Sequence, residues 1–145
     1  MPAPEITLRT AIATAITGAS YSLAVSVEGT YVPREERTDL ATPQIHLVAM
    51  ALDEEIASRS GAYTGELLCQ VGMQQRVSAA DTAAIDALVD LLEEVRSTLR
   101  NLPGYRWLRT QALKDRNGVP YDYVRLRNEH VFQAVLIPTY RGTFS

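Results

Sequence analysis

The sequence predicts an α+β fold: a single, mostly antiparallel sheet with two helices packed on one face, in the order α-β-β-β-α-β-β. Three observations predict it. Residues 78–101 hold an unbroken helical period, with Ile85, Leu88, Leu92, Val95 and Leu99 recurring at spacings of three and four. Shorter runs on either side alternate instead, as half-buried strands do. The longest of these, residues 63–77, is apolar along one side (Leu67, Cys69, Val71, Met73) and mostly polar along the other, the pattern of an antiparallel sheet with one side open.

The elements follow in order. A first helix is expected over residues 5–17, with Leu8, Ile12 and Ile16 on one stripe, Pro4 in its first turn and Gly18 as its stop. Alternation from residue 21 to 31 (Leu23, Val25, Val27) predicts a first strand, ended by Pro33. Residues 34–43 are charged, lack an apolar period and close on Pro43, so they read as a surface loop. Residues 44–51 form the second strand, with Ile45, Leu47 and Ala49 on one face and His46, Val48 and Met50 on the other. Residues 52–61 read as a solvated turn, because three successive acids (Asp53, Glu54, Glu55) cannot aim at one point from regular structure. The third strand spans 63–77, and Gly72 marks a bulge or a close backbone approach within it.

The long helix is expected to open on a capping box, Ser78 with Asp81. Acids in its first turns (Asp81, Asp86, Asp90) and Arg96 and Arg100 at its end match the helix dipole, and Leu102-Pro103-Gly104 stops it. Asp86 with Asp90 and Asp90 with Glu94 stand four apart, which a solvated outer face explains without catalysis. A fourth strand runs over 105–110, a turn over 115–118 and an irregular stretch over 119–129. The last strand spans 130–140, where Pro138 suggests an edge or a terminus.

A chain of 145 residues, 46% apolar and 21% charged, suits one globular domain over residues 1–145. The net charge of −3 gives no sign of a protein that coats nucleic acid. Its distribution is uneven. Residues 1–95 hold 5 basic and 14 acidic side chains, a balance of −9, and residues 96–145 hold 9 and 3, a balance of +6. Either the segregation is incidental, or opposite faces of the fold carry opposite charge, which suits head-to-tail contact between copies. The single cysteine, Cys69, lies in an apolar run and reads as a buried thiol in a reducing compartment. No run is long enough to span a membrane, and the first ten residues lack the pattern of a signal peptide, so a protein made in the cytoplasm is expected.

The motifs of enzymes are missing: there is no G-x-S-x-G, no phosphate loop and no H-E-x-x-H, and Lys114 is the sole lysine. No enzyme activity, cofactor or metal is expected. The richest segment is the one from residue 105 to 127. Arg106, Arg109, Arg116, Arg125 and Arg127 interleave there with Tyr105, Trp107, Tyr121 and Tyr123. That mixture can stack on bases and pair with phosphates, which makes a nucleic-acid-binding module the alternative reading. It equally anchors protein interfaces, and the acidic total favours the interface.

The helix at the N-terminus (6–17), the strand ending in QQRV, the helix beginning SAADTAAIDALVDLLEEV and the closing FQAVLIPTYRG together resemble the tail-terminator and tail-completion (neck) proteins of tailed bacteriophages. The resemblance implies a virion structural protein assembled in the host cytoplasm: a small α+β subunit of a ring, typically hexameric. Such a ring caps the tail tube protein, fixes tail length and docks to the head-tail connector protein, while DNA passes through without specific binding. On that view the acids Glu35, Glu36, Asp39, Asp53, Glu54 and Glu55 face the channel from loops. Arg106, Arg109, Arg116, Tyr121, Tyr123, Arg125 and Arg127 form the subunit or connector contact.

Overall fold

The computed structural model describes residues 3–30, 42–56, 63–112 and 121–144. The fold is α+β: one sheet with helices, in the chain order α1 (Pro4–Gly18), β1 (Ser26–Thr30), β2 (Gln44–Ile56), β3 (Tyr63–Arg76), α2 (Thr82–Arg100), β4 (Arg106–Ala112), α3 (Tyr123–Glu129) and β5 (Val131–Phe144). The sheet has five strands in the order β1-β2-β3-β5-β4. Every neighbouring pair is antiparallel except β1 with β2, which is parallel. The chain thus lays its first three strands side by side as one half of the sheet, then inserts β5 between them and β4.

One face of the sheet carries the core. Ile45, Val71 and Leu136 share it with Met73 and Ala134, and α1 brings Leu8, Ile12 and Ile16 onto it, all at most 2% exposed. α2 adds Leu88, Leu91, Leu92, Val95 and Leu99. α1 lies over β1, β2 and β3, α2 over β4 and β5, and the two helices touch. The polypeptide between α1 and β1 is tied to α2: Tyr21 Oη and Thr98 Oγ1 are 2.6 Å apart, and the amide and hydroxyl of Ser22 donate to Glu94.

Several expectations need correction. The first strand begins at Ser26 rather than at residue 21, and Thr30 is its last described residue. The acids Asp53, Glu54 and Glu55 are in no turn; β2 continues to Ile56, where residues opposite them on β3 supply backbone partners. Gly72 sits in regular pairing between His46 and Val135, and the bulges fall at Ala49/Leu52 and at Trp107/Arg109. The helix is capped by Asp81, whose carboxylate accepts from the Ala84 amide, while Ser78 closes the preceding turn by accepting from Ala80. Residues 119–129 are not wholly irregular, because α3 forms there and buries Leu126. Pro138 lies inside β5 between two neighbours; pairing with β3 passes from Leu68↔Thr139 to Val71↔Leu136, so the missing N–H falls where the ladder is open.

The second face of the sheet is also more closed than a polar pattern implies. Gln44, Gln74 and Gln133 stand in one row across β2, β3 and β5, and Gln44, His46, Val48, Gln74 and Thr139 are all at most 8% exposed. Polar residues on a strand face can be buried when hydrogen-bonding partners are at hand, so polarity does not measure exposure.

Candidate interface at the sheet edge

α2 ends at Arg100, and the chain reverses through Gly104, whose φ of +81° lies in the region glycine tolerates best. It then enters β4, an edge strand. Tyr105 packs edge-on against Tyr140, with ring centroids 5.9 Å apart. Trp107 is 36% exposed, and its indole N–H donates to Thr110 Oγ1 at 2.9 Å, bridging the bulge. The side chains of Arg106, Arg109 and Gln111 are exposed.

Registers across the sheet gather the charge. Asp53, Glu66, Arg141 and Arg106 occupy one row through β2, β3, β5 and β4. Glu66 accepts from Arg109 Nη2 at 3.3 Å and pairs with Arg141 Nη2 at 3.6 Å. Arg106 has no ion-pair partner among the described residues. Two guanidinium groups, those of Arg109 and Arg141, thus share one carboxylate. Exposed pairs of this kind contribute about 0–1 kcal/mol to stability, so the arrangement is better understood as a surface than as a brace.

The expected interface residues do not form one patch. Arg106 and Arg109 stand at one end of β5, beside Arg141. Tyr121 leads into α3 at the other end, where the Asp122 amide donates to the Gln133 carbonyl. Eight residues of extended chain, about 26 Å, separate Gln133 from Arg141. Tyr121 itself is half-buried and packs against the core, its ring 5.3 Å from that of Phe132. Tyr123, Arg125 and Arg127 lie on α3, and the Arg127 side chain is exposed. Arg116, Glu35, Glu36 and Asp39 fall outside the described residues. Glu66 and Arg141 complete the cluster, although nothing near them in the chain marks them; only the strand register brings them to Arg109.

Other places offer less chemistry. Among the described residues no group of three or more His, Cys, Asp or Glu could hold a metal. Cys69 is fully buried, and burial pushes its thiol up to about 12, which keeps it protonated and out of reach. A surface groove of about 700 Å³ runs along residues 16–27, but Tyr21 is its sole ionisable lining residue and its hydroxyl is engaged by Thr98. No helix in the described residues is long and apolar enough to cross a membrane. No protein-family model matches the chain, and no curated protein matches it.

Proposed function

We propose that this chain is a structural subunit that assembles with its own copies into a ring at the neck or tail end of a tailed-bacteriophage virion, as a tail terminator or head-tail joining protein. The observation that carries the reading is the division of charge across the sheet. The acidic half of the sequence supplies β1, β2 and β3, and the basic end supplies β5 and β4. The two outermost edges therefore differ in charge, which suits head-to-tail contact between copies. The resemblance in the QQRV strand, the SAADTAAIDALVDLLEEV helix and the closing FQAVLIPTYRG strand adds the neck and tail setting, with the tail tube and the head connector as neighbours.

Light scattering on the purified protein across a concentration series, followed by negative-stain imaging, tests the reading. Rings with a central hole are expected, alone or on tail tubes. A monomer at every concentration that also fails to cap tubes overturns it. In the nucleic-acid alternative the arginines bind DNA, and a gel shift with short DNA at low salt, weakening steeply as salt rises, would favour that alternative.

A further inference from the structure

Among the described residues two large apolar side chains stand exposed: Val89 on α2, at 38%, and Trp107 on β4, at 36%. Single exposed apolar residues are common on soluble proteins and need no partner. These two are set apart by their neighbours. Val89 lies on the outer face of α2 with Asp86 and Asp90, both exposed. Trp107 lies between Arg106 and Arg109 on a strand at the end of the sheet, and both arginines are exposed.

The ion pairs within the chain leave these charges over. Farther along α2, Glu93 is held by Arg96 and Arg100, whereas Asp86 and Asp90 have no ion-pair partner among the described residues. On the sheet, Arg109 and Arg141 share Glu66, and Arg106 stands directly across from Arg141 without a carboxylate. Like charges opposite one another on neighbouring strands repel, so a carboxylate arriving from outside is favoured there. Trp107 is already fixed by its bond to Thr110, so little freedom is lost when something packs on it.

We propose that the α2 patch of one copy, Asp86, Val89 and Asp90, seats on the β4 patch of the next, with Val89 against the Trp107 indole and the two carboxylates on Arg106 and Arg109. The patches are different surfaces, one on the outer side of a helix and one at the end of the sheet. Their contact is therefore heterologous: each copy keeps one patch of each kind for a further neighbour, and a rotation that closes gives a ring. Asp86 and Asp90 belong to the acidic residues 1–95 and the arginines to the basic residues 96–145, so the contact draws on the same division of charge. This pairing rests on the ring reading and names the surfaces that meet in it.

Trp107 is the sole tryptophan, so its emission reports on this contact. In the full-length protein, emission should shift to shorter wavelength and lose access to acrylamide as assembly rises with concentration. Asp86→Arg and Arg106→Glu should each need about tenfold more protein to assemble. The double variant, or an equal mixture of the two single variants, should recover assembly, which a misfolded chain would not do. Assembly of the wild type with unchanged Trp107 quenching, both single variants unimpaired, or no recovery in the mixture and the double variant overturns the pairing and leaves the ring standing. A wild type that stays monomeric in all conditions and fails to cap tubes overturns the ring as well. A Trp107 response to short DNA but not to concentration overturns the pairing in favour of nucleic acid.

Discussion

Tyr140 ties the sheet to the long helix. It is fully buried, and its hydroxyl donates to the Leu99 carbonyl at 2.6 Å, joining β5 to the last turn of α2. Tyr140→Phe keeps the ring and strands that carbonyl, so a loss of about 1–3 kcal/mol is expected in urea unfolding. Burial also raises the pKa of Tyr140 above its ordinary value, and that of Cys69 to about 12. Both groups are therefore neutral in the folded state at pH values where the unfolded chain ionises. Their contribution is complete below the unfolded values, about 8.5 for a thiol and about 10 for a phenol, and is lost as pH rises through the folded ones. The urea midpoint should fall progressively above about pH 9, and Cys69→Ala should flatten the first part of that fall. A midpoint constant to about pH 11 would contradict this account. Glu94 has a different part: with its carboxylate accepting both the Ser22 amide and hydroxyl, Glu94→Ala should loosen the α1–β1 connection, visible as faster amide exchange there.

At the scale of elements, two glycines make opposite predictions. Gly18 closes α1, and a β-carbon there meets nothing within 4 Å, so Gly18→Ala should stabilise by about 0.4–1 kcal/mol through the unfolded chain. Gly104 is equally uncrowded but has φ +81°, so Gly104→Ala should cost about 1–2 kcal/mol. Thermal unfolding of the two variants checks both signs. Asp81→Ala should cost about 1 kcal/mol as a lost helix cap, and Ser78→Ala less. The long helix was legible because its signals are local: apolar residues three and four apart, and Arg100 in the last turn. Its start was misplaced because Ser78 and Asp81 are both good caps, and the turn between them decides which one serves. α3 is a short helix in polar sequence, and the one local hint was Asp122 directly before it.

At the scale of the whole molecule, α2 and the sheet edges divide the charges between them. On the outer face of α2, Glu93 is held by Arg96 at 3.1 Å and Arg100 at 2.9 Å, and hydrogen bonding from Arg100 above all lowers its pKa. Asp86 and Asp90 remain exposed nearer the start of the helix. If assembly depends on opposed edges, raising salt from about 0.05 M to about 0.5 M should shift the light-scattering profile toward smaller species. Assembly that strengthens with salt would point to an apolar contact elsewhere.

The sequence alone determined the α+β class, a long helix within residues 78–101, the apolar side of β3 and the burial of Cys69, since each depends on periodicities a few residues long. It also carried the uneven charge. Only the tertiary structure decided where that charge would go. Register between strands far apart in the chain brought Glu66 to Arg109 and Arg141 and carried β2 on through Asp53–Glu55, and packing against Phe132 drew Tyr121 onto the core. Pairing partners are selected by the fit of whole faces and edges, and no local pattern of residues contains that fit.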